Sequence, residues 1–234
     1  MPKIEVCLSP ELIHLFELKG KVVVITDILR ATSCMTTGLA TGVKQIKPVA
    51  TLDECRALKK EGYYTAAERN GAKVEGFDIG NSPFSYMDKK FKGKNIATTT
   101  TNGTLAITKS TEADDIIIGS FLNLSTIANY LHEESKDVII HCAGWKGNYS
   151  LEDTLFAGAL IEKLLPAFSL GDDASFSALN NYSSCKGNLL ETILGSAHAK
   201  RLEKFDIRKD IELCCTIDKY ETIPYLKNGV LIKK

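Results

Sequence analysis

The chain has 234 residues, of which 44% are hydrophobic and 25% charged, and its 29 basic side chains balance its 29 acidic ones. This length can bury a large core, and zero net charge argues against nucleic acid or an anionic membrane as the main partner. The sequence shows no apolar run near the ~20 residues of a membrane span and no signal-peptide pattern. None of the seven cysteines lies in a Cys-x-x-Cys pair. We therefore expect a cytoplasmic protein with reduced, buried thiols.

Strand and helix patterns alternate along the first two thirds of the chain. The helix at residues 51–62 shows the pattern clearly, since it opens with a capping box and ends at Gly62. Alternation of this kind predicts parallel strands with helices on both faces of the sheet. The predicted strands are residues 4–8, 22–25, 46–50, 63–67, 94–99, 115–119 and 138–142.

The pattern changes after Pro166. Residues 172–182, 188–205 and 207–215 have helical spacing, and Asn228-Gly229 predicts a hairpin over residues 225–232. The predicted fold is α/β, with a mostly parallel sheet of about six strands, helices on both faces, a helical C-terminal subdomain and a terminal hairpin. We place an α/β catalytic region at residues 1–166 and the helical subdomain at 167–234, which could also form one continuous domain.

An acid and a guanidinium follow the strand at residues 22–25. Asp27 comes near the carboxyl end of this strand, and Arg30 precedes the helix that starts with Thr32 and Ser33. Ligands of open α/β sheets bind at such strand ends, where a helix N-terminus offers free N–H groups. The segment indicates a metal-assisted site for an anion; the simpler interpretation is that Asp27 caps the helix and pairs with Arg30.

Three further loops follow predicted strands and carry polar residues and glycine. Residues 98–104 bring hydroxyls, an amide and a glycine to a helix start, as a phosphate or sulfonate requires, although an Asn-Gly turn explains this composition as well. Glu68 could share a cation with Asp27, or else pair with Arg69. Asp153 could be a metal ligand, an orienting group or half of a capping box, and Lys146 is a mobile cation. If the sheet is parallel, all four loops open on the same edge.

Several common catalytic motifs are missing. The sequence has no Gly-x-x-x-x-Gly-Lys loop, no Gly-x-Gly-x-x-Gly after a strand, and no cysteine followed six places later by arginine. Leu29 stands where a phosphatase with an aspartyl nucleophile has its second aspartate. These absences disfavour P-loop nucleotide hydrolysis, dinucleotide binding, thiol phosphatase chemistry and the haloacid-dehalogenase mechanism.

Together the loops resemble the 2-phosphosulfolactate phosphatase family. The resemblance rests on four ordered motifs: residues 27–32 (Asp-Ile-Leu-Arg-Ala-Thr), 68–71 with 76–83, 99–104 (Thr-Thr-Thr-Asn-Gly-Thr), and 142–144 through 150–153. It implies a magnesium-dependent hydrolysis of 2-phospho-3-sulfolactate to 3-sulfolactate and phosphate, a step of coenzyme M biosynthesis.

The resemblance also leads to a hypothetical site for a small anionic substrate. Asp27, Arg30 and Glu68 would be catalytic, and Asp27, Glu68 and Asp153 would hold Mg²⁺. Whether Asp27 or a water molecule attacks phosphorus is left open. The alternatives are a phosphatase for another 2-phosphorylated hydroxy acid and a non-catalytic module for small anions, and a homo-oligomer is compatible with all three. The predicted substrate-binding residues are Thr32, Ser33, Asn70, Asn81, Thr100, Thr101, Asn102, Gly103, Thr104, Lys146 and Gly147.

Overall fold

A computed structural model describes residues 1–205 and 207–234, except for the side chain of Lys204. Eleven strands and ten α-helices lie in this described part, along with short 3₁₀ turns. The strands are β1 (Lys3–Cys7), β2 (Val22–Thr26), β3 (Gln45–Pro48), β4 (Tyr64–Arg69), β5 (Ala72–Lys73), β6 (Asn95–Thr99), β7 (Asp115–Gly119), β8 (Val138–Cys142), β9 (Ser169–Leu170), β10 (Pro224–Lys227) and β11 (Val230–Lys233). The helices are α1 (Ala31–Ala40), α2 (Leu52–Ala57), α3 (Pro83–Tyr86), α4 (Gly103–Lys109), α5 (Leu124–Glu134), α6 (Leu151–Leu164), α7 (Asp173–Cys185), α8 (Leu189–Leu194), α9 (Ala197–Leu202) and α10 (Arg208–Cys214).

The strands form one mixed sheet in the order β5-β4-β6-β3-β11-β10-β7-β2-β8-β1-β9. One parallel block contains β7, β2, β8, β1 and β9, and a second contains β3, β6 and β4. The hairpin of β10 and β11 lies between the blocks and pairs antiparallel with both. Three successive antiparallel pairings make the two blocks run in opposite directions.

These observations correct the predicted sheet. We expected about six strands, mostly parallel, whereas the described residues form eleven strands in a mixed sheet. The additional strands include short edge segments, β5 and β9, which are too short to show a periodic pattern. The predicted α/β class and the helices on both sides are confirmed.

The C-terminal hairpin is confirmed, and its position is central. Asn228 and Gly229 both have positive φ, 51° and 76°, as a two-residue type I′ turn requires. Single residue pairs anchor its strands to the sheet: Tyr225 faces Ile117 of β7, and Leu231 faces Ile46 of β3. The last strands of the chain therefore join the two parallel blocks. The predicted helix over residues 188–205 is instead broken between α8 and α9.

The core lies on both faces of the sheet. Val22 and Val24 of β2 belong to one buried cluster, under α5, α6 and the C-terminal helices. Val23 and Ile25 belong to the other, under α1, α3 and α4. This alternation follows from the two-residue period of a strand, and it confirms that β2 is buried on both faces. No helix in the described part of the chain is long and apolar enough to cross a membrane.

Loops from both blocks meet at the start of α1. Five strand spacings separate β2 from β6, about 24 Å at about 4.8 Å per spacing. Nevertheless, a Cβ atom built on Gly103 after β6 would lie 2.9 Å from Oδ2 of Asp27 after β2. Helix α1 packs against β7 of one block and β3 of the other. The loops that we expected at one edge of a parallel sheet therefore meet although their strands belong to two blocks that run in opposite directions.

Candidate active site

The loop from β2 to α1 is shaped by its own side chains. Thr32 donates its hydroxyl to the carbonyl of Asp27 (2.9 Å) and accepts the N–H of the same residue (3.1 Å). Ser33 donates to the carbonyl of Ile28 (2.9 Å). Oδ1 of Asp27 accepts the N–H of Ala31 at 3.3 Å, so Asp27 caps the first turn of α1. The two hydroxyls predicted to bind substrate thus hold the loop, whereas Oδ2 of Asp27 is left for other partners.

The structure brings all three predicted catalytic residues to one small cavity, which we call the inner cavity. Its volume is about 10 Å³, close to the space that one water molecule or ion needs. The predicted substrate-binding residues Asn81 and Asn102 also line it. The full lining is Asp27, Leu29, Arg30, Glu68, Gly71, Asn81, Asn102, Trp145, His198 and Leu202.

Arg30 is held by a residue that sequence reasoning missed. Its Nη1 donates to a carboxylate oxygen of Asp210 in α10, and its Nη2 donates to the carbonyl of Gly71 at 3.1 Å. Asp210 also accepts the hydroxyl of Ser82 at 2.9 Å. The simpler interpretation paired Arg30 with Asp27, but the structure pairs it with Asp210, 180 residues later. The other N–H groups of the guanidinium remain available to an anion.

Glu68 lies at the end of β4 and is buried. Its Oε1 accepts the N–H of Gly71 at 2.5 Å, and its Oε2 lies 3.4 Å from both the N–H and the hydroxyl of Thr101. Arg69 donates instead to the carbonyl of Glu68 and to Thr99. The Glu68 carboxylate is therefore directed into the site rather than onto its neighbouring arginine.

Close packing requires glycine at position 103. A Cβ atom there would come within 2.7 Å of Cβ of Ala31 and 2.9 Å of Oδ2 of Asp27. Thr100 and Thr104 exchange hydrogen bonds with each other, as Thr100 Oγ1 accepts the N–H of Thr104 and Thr104 Oγ1 donates to the carbonyl of Thr100. These two threonines hold the start of α4 in place.

The loop after β8 reaches toward the inner cavity. The N–H of Lys146 donates to Oδ1 of Asn102 (3.1 Å), and its Nζ donates to Oδ1 of Asn70 (3.3 Å). Gly147 lies farther back, where its carbonyl accepts the hydroxyl of Ser9. Lys146 and Asn70 therefore flank the inner cavity, and Gly147 is absent from its lining.

Asp153 connects two loops of the site. Its Oδ1 accepts the N–H of Ile28 (2.9 Å) and its Oδ2 the N–H of Gly144 (3.1 Å). Burial raises the pKa of this carboxyl well above its usual range, and the charges of Glu152 and Asp27 act in the same direction. With both oxygens bonded to main-chain donors, Asp153 has the geometry of an orienting group.

The inner cavity has the character of a site for a hard cation. Burial raises the pKa of Asp27 from 3.8 to about 6, and the Glu68 carboxylate also raises it, while His198 and the N–H of Ala31 lower it. The described residues contain no cluster of three or more His, Cys, Asp or Glu side chains around one point. Mg²⁺ commonly uses one or two carboxylates and completes its shell with water and phosphate oxygens. Asp27 and Glu68 both line the inner cavity and fit this requirement, and Asp153 is absent from its lining.

A second cavity, the outer cavity, adjoins the first and has a volume of about 340 Å³. Trp145 and His198 line both cavities, and Glu152 and Arg201 line the outer one. Sequence reasoning left these four residues unassigned. Trp145 is the only tryptophan of the chain, which was a usable signal. The position of His198 had no signal, because the four histidines are scattered along the sequence.

The chain matches a known protein family over most of its length. The profile of the 2-phosphosulpholactate phosphatase family matches residues 7–229. A protein of Caldanaerobacter subterraneus subsp. tengcongensis is 42% identical over 221 residues, which cover 92% of this chain and 91% of that protein. A protein of Thermotoga maritima is 44% identical over 211 residues, which cover 90% of this chain and 91% of that protein.

A third relative, from Clostridium acetobutylicum, is 37% identical over 237 residues, with 98% of this chain and 100% of that protein covered. All three relatives are named probable 2-phosphosulfolactate phosphatase, a phosphoric monoester hydrolase. These matches confirm the resemblance that the four loop motifs indicated. By sequence and by extent, the chain belongs to the 2-phosphosulpholactate phosphatase family.

Proposed function

We propose that the protein is a magnesium-dependent phosphatase that hydrolyses 2-phospho-3-sulfolactate to 3-sulfolactate and phosphate, as in coenzyme M biosynthesis. The observation that carries the proposal is the convergence of Asp27, Glu68 and Arg30 on the inner cavity. Two carboxylates that repel each other attract a divalent cation, and the adjacent guanidinium attracts the anion. The names of the relatives supply the substrate.

Five residues of the inner cavity have a task in this proposal. Asp27 and Glu68 would hold Mg²⁺, which when bound polarises a phosphoryl oxygen and offsets its charge. Arg30, fixed by Asp210, donates its free N–H groups to the phosphoryl oxygens in a geometry that lysine does not supply. Asn81 and Asn102 add amide groups. Stabilisation of charge on the transferring phosphoryl group is the main catalytic effect of such an arrangement.

The two cavities suit a short substrate with an anionic group at each end. The inner cavity takes an ion or a water molecule, and the outer cavity of about 340 Å³ takes a three-carbon acid. We therefore place the phosphoryl group where the two cavities meet, beside Trp145 and His198. Lys146 and Arg201 lie around Trp145, with their cationic groups 5.5 and 4.8 Å from its ring centroid, and would attract the sulfonate.

The two alternative functions predict different results in one assay. Cations beside an open cavity accept a carboxylate as well as a sulfonate, which favours another 2-phosphorylated hydroxy acid as the second candidate. A non-catalytic anion-binding module has no need for two converging carboxylates. Phosphate release from a panel of phosphorylated 2-hydroxy acids, with Mg²⁺ or with EDTA, separates the three functions. The proposal expects phosphosulfolactate to react fastest and EDTA to abolish turnover; no release from any ester contradicts it.

The magnesium part of the proposal has its own test. We expect Glu68→Gln to raise the Mg²⁺ concentration for half-maximal activity at least about 10-fold, because one of two anionic ligands becomes neutral. Glu61→Gln, an exposed glutamate, is the matched control. An unchanged magnesium requirement in Glu68→Gln removes this residue from the ligand set.

Cytoplasmic location and oligomeric state complete the proposal. All seven cysteines are unpaired, which supports a reducing compartment. Fractionation of cells of the source organism tests the location, and light scattering distinguishes a monomer from the homo-oligomer that remains compatible with the proposed function.

A further inference from the structure

A buried histidine and a buried glutamate form a pair that the proposed function does not yet use. Nδ1 of His198, in α9, lies 2.5 Å from Oε1 of Glu152, in α6. Glu152 is 1% exposed, and its other oxygen, Oε2, has no hydrogen-bond partner among the described residues. A buried carboxylate is costly unless a cation or a donor satisfies it, so we assign Nδ1 of His198 as the donor to Glu152.

The ring of His198 is fixed from a second side. Trp145 packs against it with a distance of 5.1 Å between the ring centroids. Because Glu152 occupies Nδ1, Nε2 is the nitrogen that remains for a ligand, and no described residue forms a hydrogen bond with it. His198 lines both cavities, beside Asp27 and Arg30 in the inner one. The ring therefore borders the junction of the two cavities, where we place the phosphoryl group.

The pKa of Glu152 reflects its contact with His198. Burial alone would raise the pKa of Glu152, but the hydrogen bond and the charge of His198 outweigh it and lower the pKa below its ordinary value. Charged side chains surround the ring on both sides: Asp27, Glu68 and Arg30 line the inner cavity with His198, and Arg201 of the outer cavity stacks on Trp145. The contact with His198 thus satisfies the buried carboxylate of Glu152.

The geometry points to His198 as the general acid that protonates the leaving alcohol, with Glu152 as its positioning residue. This inference rests on the proposed phosphatase function and adds a residue to it. An alkoxide is a poor leaving group near neutral pH, so protonation at the ester oxygen contributes strongly to the rate.

In the proposed step, water replaces the alcohol on phosphorus and His198 supplies the proton that the leaving oxygen needs. Water supplies the oxygen that bonds to phosphorus, and the bond between phosphorus and the ester oxygen breaks with its electron pair going to that oxygen. Nε2 of His198 gives its proton to the same oxygen, which leaves as the 2-hydroxyl group of the product acid. The proton that water loses passes to solvent, and solvent returns one proton to Nε2.

Other side chains of the site are less suited to this task. Arg30 does not release its proton at working pH. Asp153 accepts main-chain N–H groups at both oxygens. Lys146 is exposed, and its Nζ bonds to Asn70. Of these candidates, His198 has both a free nitrogen beside the inner cavity and a partner that fixes its orientation.

The decisive experiment compares two leaving groups in His198→Gln. Phosphosulfolactate releases an alkoxide that needs a proton, whereas 4-nitrophenyl phosphate releases a phenolate that leaves without one. We expect kcat to fall about 100-fold or more on the first ester and less than about 5-fold on the second. His14→Gln, an exposed histidine, is the matched control and should retain both activities. Equal losses on both esters contradict the role of His198.

Chemical rescue gives a second measurement that needs only the alkyl ester. Added imidazole should raise the kcat of His198→Ala at least about 10-fold. An unchanged kcat contradicts proton donation by His198. In Glu152→Gln, kcat should fall about 10-fold on the alkyl ester and little on the aryl ester. The glutamine still accepts the hydrogen bond from His198 but carries no charge. A wild-type enzyme that releases no phosphate contradicts the proposed function itself, whereas an active one with equal losses in His198→Gln contradicts only this inference.

Discussion

The inner cavity has two walls that differ in how the chain fixes them. The strand-end wall contains Asp27, Glu68 and Asn102, and its loops contain local hydrogen bonds such as the two between Thr32 and the main chain of Asp27. The helical wall contains His198, with Asp210 behind Arg30, and comes from α9 and α10. The first wall carries the proposed metal ligands. In the proposed function the second wall supplies the general acid and the anchor of Arg30, so both walls would be needed for catalysis.

Removing the charge of Asp27 tests the strand-end wall and should have the largest effect. We expect Asp27→Asn to lower kcat about 1000-fold, because the variant loses an anionic ligand at the reacting phosphoryl group. Phosphate release at saturating Mg²⁺ measures it. Asp53→Asn, an exposed aspartate, is the control. Turnover within 10-fold of wild type would remove Asp27 from the catalytic centre.

The same variant should be more stable than the wild-type protein in the absence of metal. Burial raises the pKa of Asp27 from 3.8 to about 6, so the folded state disfavours the charged carboxyl. This penalty is fully present above pH 6 and disappears as the pH falls below about 4. The shift corresponds to about 3 kcal/mol. Urea unfolding in EDTA should therefore show a gain for Asp27→Asn at pH 8 that shrinks towards pH 4; a constant gain contradicts this explanation.

Overpacking the same wall should have a smaller effect on turnover. Gly103→Ala places a methyl group 2.7 Å from Cβ of Ala31 and 2.9 Å from Oδ2 of Asp27, so α4 or the β2 loop must shift. A displacement of about 1 Å in a catalytic group can cost about 100-fold, and we expect a loss of 10- to 100-fold in kcat. Gly187→Ala, whose added Cβ meets nothing within 4 Å, is the control. Wild-type kcat in Gly103→Ala would show that the wall tolerates such a shift.

A change in the helical wall should mainly lower the free energy of unfolding. Asp210→Asn leaves the buried guanidinium of Arg30 without its counter-charge, which costs about 3–5 kcal/mol of unfolding free energy. We expect a further loss of about 10-fold in kcat, since Arg30 loses its anchor. Urea unfolding and phosphate release measure the two effects, with the exposed Lys209→Gln as control. A neutral Asp210→Asn would mean that Arg30 is held by Gly71 alone.

The sequence predicted the strand-end wall well because its signals are local. Apolar β-branched residues mark β2, and Asn228-Gly229 marks the terminal hairpin with its positive φ angles. Polar residues just after a buried strand indicate a site without knowledge of the fold. A local signal does not show what a side chain contacts. We therefore assigned the threonines of these loops to substrate binding, although Thr32 and Thr104 hold their own loops.

The order of the sheet and the partners of Arg30 and His198 could not be predicted, because they depend on pairings between distant segments. The hairpin pairs with β3 and β7 through single residue pairs, so the central position of the last strands has no sequence pattern. Arg30 meets Asp210 across 180 residues, and His198 meets Glu152 across 46. The helical pattern from α8 to α9 was continuous in hydrophobicity, and only Gly195 and Ser196 marked the break.

Lys146, which bonds to Asn102 and Asn70 in two strand-end loops, should have the smallest effect. Its Nζ is exposed, and its attraction for an anionic substrate is screened by salt. We expect Lys146→Met to raise KM about 3- to 5-fold with kcat unchanged, and the difference from wild type to shrink at 0.5 M salt. Lys60→Met, an exposed lysine on another part of the surface, controls for net charge. An exposed attractive charge affects substrate binding and not the chemical step. A fall in kcat at saturating substrate would therefore mean that Lys146 acts in the transition state, as the residues of the strand-end wall do.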